Sequence, residues 1–390
     1  MTTTYKFRMY PNKPVREKLD FALDICRQTY NNLLEEMNNQ VKINRGEIQH
    51  KIVTLKETRP ELKEVYSKTL QYECYRLFSN LSALRELKKH GKKVGRLRFK
   101  DRDWFKTISY NQSGFSLETI KNKKGILHLS KIGDINIKVH RKVEGKIKQI
   151  TLKKSLGKWY AMIVTDFMQK RTCGEKEIGI DLGINNYIMD SEGNSIAHPK
   201  TIDLYAEELK TAQQDLSRKK KGSHNRSKAR FRVAKVHEKI ERVRNDFLHK
   251  LSNQYVKDCK LIVVENLAIK DMMQSSYNAK NIADASWNRF IQFLCYKAES
   301  AGCKVEKINP KNTTKQCSHC GNLQKMPLWI RTYKCSSCGF EIDRDLNSAI
   351  NIKSKFIGSE RANVENNSSV QFEQELSMKQ EAITSTGVRL

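Results

Sequence analysis

The chain has no run of apolar residues long enough to span a bilayer; its longest, such as residues 261–264, are only strand-sized. The opening residues, MTTTYKFRMYPNK, lack the apolar core and small-residue cleavage site of a secretory signal. Ten cysteines in an apparently intracellular chain do not read as a disulfide framework. Acidic charge is scarce: 43 Asp and Glu stand against 73 Lys and Arg, giving a formal net charge of +30. Such a surplus repels itself unless a polyanion is near, and a phosphate backbone supplies one with counterion release. A merely solvated surface is the weaker reading at this charge. What is present is a globular balance of 38% hydrophobic and 30% charged residues, with room in 390 residues for two or three domains.

Periodicity divides the chain. Tyr5, Phe7 and Met9 alternate with Lys6 and Arg8 as a first strand, which Pro11 and Pro14 stop. Two amphipathic helices follow, one from Arg16 to about Gln40 and one after Pro60, both decorated with basic residues. After Gly91 the pattern changes to short alternating runs at 127–129, 135–139, 147–152 and 159–164, separated by glycines. That spacing predicts an all-β module, a small barrel that the first strand joins, with the helices as an insertion. From about Glu177 strands and helices alternate. Strand 178–182, a hairpin around Ser191-Glu-Gly-Asn, helices at 205–216 and 228–258, strand 261–265, helix 287–300, strand 304–308 and a last helix at 347–355 are expected. The segment from about Gly358, rich in Glu, Asn, Ser and Gln, is expected to be disordered.

Two CxxCG turns, Cys317-Ser-His-Cys320-Gly and Cys335-Ser-Ser-Cys338-Gly, stand fourteen residues apart. Each turn brings two thiolates to one point, and two turns at ribbon spacing suit one structural, tetrahedral Zn²⁺. A redox dithiol needs only one such turn. His319 lies inside a turn and reads as solvent-exposed, and the other six cysteines are scattered, mostly as small buried hydrophobes.

Three acids occupy the places that an RNase H-like nuclease needs. Asp181 ends a buried strand before a glycine, Glu265 closes LIVVE, and Asp345 starts the last helix in DRDLNSAINI. Carboxylates converging from separate segments can hold two Mg²⁺ ions at a scissile phosphate. Each acid alone also fits a plain role: a solvated strand end for the first two, a helix N-cap for Asp345. Asp343 is the rival for the third place.

GIDLGINNY, VVENL and CSHCG…CSSCGFEIDRDLNSAINI together resemble the nuclease motifs and zinc finger of the transposon-encoded TnpB (OrfB) family, relatives of type V CRISPR effectors. YKFRMYPNK, QSGFSL, LHLSKIGDINIKVHR, GKWYAMIV, RNDFLHKLS, IADASWNRFIQFLCYKAESAG and, in the tail, LSMKQEA extend the likeness over nearly the whole chain. The third motif reads Asn-Ser-Ala where many relatives have Asn-Ala-Ala.

The resemblance implies a cytoplasmic protein of a prokaryotic host: an RNA-guided, Mg²⁺-dependent DNA endonuclease that cuts next to a transposon-adjacent motif. Its partners would be a transposon-derived guide RNA and double-stranded target DNA, with no membrane, as monomer or dimer. The implied α+β architecture has a wedge-like β-barrel module at 1–14 and 91–172 and a helical recognition insertion at 15–90. A RuvC-like domain follows at 173–312 and 341–357, with a zinc-ribbon insertion at 313–340 and a tail at 358–390. Asp181, Glu265 and Asp345 are the expected catalytic, Mg²⁺-holding residues, and Cys317, Cys320, Cys335 and Cys338 the zinc ligands. Nucleic-acid contacts are expected from Lys92, Lys93, Arg96, Arg98 and Lys100, and from Arg218, Lys219, Lys220, Lys221, Arg226, Lys228, Arg230 and Arg232. Trp104, Phe105, Tyr110 and Phe115 suit base stacking and core packing equally. The competing readings are a nuclease-silent DNA-binding repressor or transposition accessory protein, and a transposase performing strand transfer itself.

Overall fold

A computed structural model describes residues 2–120, 123–168, 170–275, 278–327 and 329–358. The tail expected beyond residue 358, LSMKQEA included, lies outside the described residues. The chain forms two compact units, Met1–Gln169 and Lys170–Leu390.

In the first unit β1 (Thr3–Tyr10) is followed by α1 (Lys13–Asn39), α2 (Arg45–Thr58), a 3₁₀ turn (Pro60–Glu64) and α3 (Ser67–Lys89). Six strands follow: β2 (Thr107–Asn111), β3 (Phe115–Ile120), β4 (Lys124–Leu129), β5 (Gly133–Lys138), β6 (Ile147–Ser155) and β7 (Lys158–Thr165). The seven strands form one sheet in the order β2-β6-β7-β1-β5-β4-β3, so the first strand sits at its centre. β1 pairs antiparallel with both β7 and β5. The period-two pattern explains why: Tyr5, Phe7 and Met9 are buried in a core shared with α1 and α3, while Lys6 is exposed and Arg8 half-buried on the other face. Pro14 does more than end the strand. It lies in the first turn of α1, where a missing N–H costs nothing, and the Asn12 side chain caps that turn by accepting from Val15 N.

The helical insertion holds three helices where the sequence pattern suggests two. The extra one, α2, buries only Ile48 and Ile52, a stripe too thin to stand out by periodicity. Strands β2 and β3 also escape the pattern of alternating runs. Phe105 and Tyr110 are buried in the core and Phe115 packs against it, so for these three packing is the outcome; Trp104 is 82% exposed.

The second unit carries β8 (Lys176–Leu182), β9 (Asn186–Asp190), β10 (Ser195–Ala197), α4 (Thr201–Leu204), α5 (Ala206–Ser217) and the long α6 (His224–Asp258). Then come β11 (Cys259–Glu265), α7 (Ile269–Ser275), α8 (Ala279–Ala285), α9 (Trp287–Ala301), β12 (Lys304–Ile308), β13 (Thr332–Lys334) and β14 (Glu341–Asp343). A final helix, α10, runs over 344–358. The main sheet has the order β10-β9-β8-β11-β12. β8, β11 and β12 are parallel; β9 and β10 are antiparallel to their neighbours. Both faces of the parallel strands are covered, which is why β11 reads as a continuous apolar run. Ile178, Ile180, Ile262 and Val264 join the core with residues of α6 and α9. Leu261 and Val263, of opposite parity, pack with Ile352 of α10. By the same parity Gly179, Asp181 and Glu265 lie on the α10 side.

A carboxyl is enclosed in the first unit. Glu73 of α3 is fully buried, and burial pushes its carboxyl up to about 8 despite the nearby Arg76 guanidinium. The folded chain therefore holds a proton that the unfolded chain releases at the ordinary glutamate value of about 4.3. Stability is full below that value and is lost as pH rises through about 8. Melting curves of the wild type should fall over this window, while Glu73→Met should flatten the dependence. An unchanged slope in the variant would assign the effect elsewhere.

Candidate nuclease and zinc centre

Adjacent parallel strands set the first two acids. The register pairs Val264 with Ile180, and one further step brings Glu265 level with Asp181 at the C-terminal ends of β11 and β8. Adjacent strands lie about 4.8 Å apart. Helix α10 delivers the third acid. Its start is capped by Asp343, whose Oδ1 accepts from Asp345 N at 2.9 Å and Leu346 N at 3.0 Å. The cap role thus falls to Asp343, and the Asp345 side chain is free to meet other groups. Arg344 Nη2 donates to Asp345 Oδ1 at 2.9 Å, and Arg331 Nη1 stands 3.6 Å from Oδ2.

The acids interact electrostatically. Burial pushes the Asp181 carboxyl well above the usual carboxylate range, and Glu265, Asp345 and Asp343 add to the rise while Arg344 opposes it. Glu265 is also pushed up by burial, with a counter-pull from the hydrogen bond that Thr313 donates and from Lys355. Among the described residues the four cysteines are gathered as one group of candidate metal-ligand atoms, and the three carboxylates are not. Clustered, poorly hydrated carboxylates are nevertheless the donor set that a hard divalent cation prefers. Two metal ions about 3.5–4 Å apart need ligands spread around them rather than gathered at one point.

Close contact between helix and strand fixes this arrangement. A Cβ on Gly179 of β8 would lie 2.2 Å from Ala349 O and 2.7 Å from Lys353 N, both backbone atoms of α10. Glycine is required there for space, since nothing flexible can yield.

The four cysteine sulfurs lie within 4.8 Å of one another, with Cys317 and Cys338 Sγ 3.9 Å apart and Cys320 and Cys335 Sγ 3.6 Å apart. A tetrahedron with Zn–S bonds of about 2.3 Å has edges of about 3.8 Å, so the cluster fits Zn²⁺. The two turns repeat one geometry: Gly321 N donates to Cys317 O and Gly339 N to Cys335 O. Gly321 and Gly339 have φ of 78° and 73°, which a Cβ would strain. N–H groups of Cys338 and Ser337 draw the Cys335 thiol down to about 6, which favours the thiolate. His319 is exposed and stacks on Phe340.

Buried hydrogen bonds that the sequence did not signal join the two centres. Thr313 Oγ1 donates to Glu265 Oε1 at 2.6 Å. Asn351 Nδ2 donates to the carbonyls of Thr313 and Gln316, and Asn347 Nδ2 also donates to Gln316 O. Asn347 Oδ1 accepts from Ser318 N. The i, i+4 spacing of the asparagines on α10 is the one signal available in advance.

The expected basic contacts divide by setting. Lys92, Lys93, Arg96 and Arg98 are exposed in an irregular segment, and Lys100 is half-buried with its carbonyl bound by Asn31 and Arg27. Around the turn from α5 to α6, Arg218, Lys220, Lys221, Lys228 and Arg230 are exposed. Lys219 and Arg232 pair with Asp215, and Arg226 donates to the carbonyls of Leu216 and Lys219, so its guanidinium serves the turn. Cross-strand register adds a row that residue spacing hid. Lys153 faces Tyr160, Tyr160 faces Arg8, Arg8 faces Lys138 and Lys138 faces Lys124. Arg8 lies over the Tyr160 ring at 5.2 Å. Five strands thus carry a basic row about 19 Å long.

Comparison with known proteins agrees with this architecture. Solved structures of similar fold include a Cas12f1–sgRNA–target DNA complex (TM-score 0.60, 16% identity, covering 90% of this chain and 98% of that one). Another is the mini-RNA-guided endonuclease CRISPR-Cas_phi3 (TM-score 0.55, 9% identity, covering 90% and 92%). By fold, the chain is an α+β protein of the class that contains Cas12f1 and related effectors. A Streptomyces pristinaespiralis protein named as an RNA-guided DNA endonuclease is 31% identical over 366 residues, 89% of this chain and 88% of its own. The Escherichia coli K12 protein InsQ, also named as an RNA-guided DNA endonuclease, is 26% identical over 65% of this chain and 67% of its own. Residues 149–276 match the OrfB_IS605 family model, described as "Probable transposase", and residues 287–352 match the Cas12f1-like TNB domain. Residues 1–46 match a model described as a helix-turn-helix domain; here they form β1, α1 and the first residues of α2. The chain belongs to the TnpB (OrfB) family. No helix among the described residues is long and apolar enough to cross a membrane.

Gly179→Ala should lower stability by about 2–3 kcal/mol, the upper part of the cost of overpacking, because backbone must move. Denaturant unfolding checks this; a wild-type midpoint would show that α10 does not rest on β8. Cys335→Ser should abolish stoichiometric zinc in the purified protein, and unchanged metal content would exclude the four-cysteine site.

Proposed function

We propose that this protein is an RNA-guided, Mg²⁺-dependent DNA endonuclease encoded by an insertion-sequence-type transposon, which cuts DNA next to a transposon-adjacent motif. The observation that carries the reading is that Asp181, Glu265 and the α10 start bearing Asp345 lie on one side of the parallel strands β8 and β11, in a chain of this family. When bound, two Mg²⁺ ions would activate a water and stabilise the leaving oxygen of the scissile phosphate. The protein's part is placement. β8 and β11 set two carboxylates level, Thr313 orients Glu265, and Arg331 and Arg344 hold Asp345. Burial raises both carboxyls, and Glu265 and Asp345 add to the rise at Asp181, so a divalent cation beside them would relieve that cost.

In this reading the first unit grips RNA. Residues 1–14 and 91–172 make the wedge-like barrel module and 15–90 the recognition insertion; 173–312 and 341–357 make the RuvC-like domain, and 313–340 the zinc ribbon that receives target strands. The row Lys153–Tyr160–Arg8–Lys138–Lys124 suits a duplex backbone lying across a sheet: like charges directly opposed repel one another, and a phosphate strand relieves that. The sequence itself is read by base pairing, so the protein needs backbone contacts here rather than base contacts.

Purification with RNA transcribed from the chain's own locus, followed by sequencing of the bound RNA and challenge of a matching plasmid with Mg²⁺, tests the proposal. Guide-dependent cleavage is expected, lost in Asp181→Ala while RNA stays bound. Binding without cleavage in the wild type would favour a repressor or accessory role, and guide-independent strand joining a transposase.

A further inference from the structure

A short loop, residues 313–318, runs from the carboxylate centre to the first zinc turn; Lys315 N and Gln316 N donate to Asn312 O, and the loop is further held from both centres. At its start Thr313, 2% exposed, donates to Glu265 Oε1 at 2.6 Å. The same hydroxyl lies 3.0 Å from Pro310 O. It has one proton and two acceptors, and an ionised carboxylate is the stronger. At the loop's end Cys317 enters the sulfur cluster and Cys317 N donates to Asn322 O. Between them, Lys315 O accepts from Tyr333 Oη, and the Tyr333 ring is fully buried with Cys317 and Cys335. On the opposite side Asn347 and Asn351 of α10, 0% and 5% exposed, hold Thr313 O, Gln316 O and Ser318 N.

We infer that Thr313 is a positioning residue through which zinc occupancy sets the affinity of the carboxylate centre for divalent cations. Zinc fixes Cys317 and, with it, the loop. The fixed loop holds the Thr313 hydroxyl against Glu265, so this carboxylate meets a cation in one orientation. Without zinc four thiols replace a rigid node, the Cys317 anchor is free, and the hydroxyl is no longer held at 2.6 Å. Hydrogen-bond partners of ligating carboxylates commonly change metal affinity by about 10–100-fold. Linkage makes the effect reciprocal: a divalent cation at the carboxylates tightens zinc in the knuckle by the same factor. The inference rests on the proposal that Glu265 is a metal ligand.

Binding of Mn²⁺ to the full-length protein, followed by electron paramagnetic resonance and without nucleic acid, separates the two claims. Glu265→Gln tests the ligand role first; wild-type Mn²⁺ binding in that variant would remove the basis of the inference. Thr313→Val should weaken Mn²⁺ about tenfold while zinc content and melting temperature stay near wild type, and Thr313→Ser should restore binding. Stripping zinc with a chelator should weaken Mn²⁺ in the wild type but add little in Thr313→Val, because the route of coupling is already cut. Additive losses, or wild-type Mn²⁺ affinity in Thr313→Val, would overturn the inference. The reverse reading, zinc retention against a chelator with and without Mn²⁺, should show the same coupling, and its absence would count equally against it.

Discussion

The approach of α10 to β8 at Gly179 is the constraint on which the rest of the second unit depends. A helix can settle on a strand with its carbonyl 2.2 Å from where a Cβ would be only if that Cβ is missing. Once it is there, three things are fixed together. Asp345, at the helix start, is directed to the side of the sheet that carries Asp181 and Glu265. Asn347 and Asn351 are brought over the loop that leads into the zinc turns. Ile352 closes the apolar layer over Leu261 and Val263. A change of register by one residue would exchange the acids for Ile180 and Val264 and bury carboxylates in the α6–α9 core.

Much of this was legible in the sequence because the signals are short-range. Alternation in β1, the apolar run of β11, the hairpin at Ser191 and the CxxCG turns each follow from residues within a few positions. That β1 joins the β-module also followed, since a lone strand must pair with something; its place at the centre of the sheet did not. What stayed hidden depends on tertiary context. Helix α2 shows only two buried isoleucines and is stabilised by what it packs against. Phe105 and Tyr110 have the composition of stacking residues, and only their packing assigns them to the core. Which of Asp343 and Asp345 caps the helix needed the geometry, because both sit beside the same helix start. The basic row across five strands is composed of residues from five separate segments, so that no window of sequence contains it.

The zinc turns and the carboxylates differ in kind. The sulfurs are gathered into a preformed tetrahedron, whereas the acids stand apart and repel. Sulfurs gathered for a metal can contribute folding free energy once it binds, whereas buried acids that repel one another cost some. The inserted turns lie between β12 and α10, so the two clusters are neighbours in the chain.

The position of α10 in the chain has a consequence for synthesis. Strands β8 and β11 leave the ribosome long before the helix that must cover them, and domains fold from the N-terminus as they appear. The first unit can fold while Asp181 and Glu265 still await the helix that brings Asp345. Asp345 arrives only after the cysteine turns, so the cluster of three acids is the last part of the described fold to be completed. A nascent or prematurely terminated chain that stops before α10 therefore lacks the helix that closes the second sheet, whatever has already folded before it.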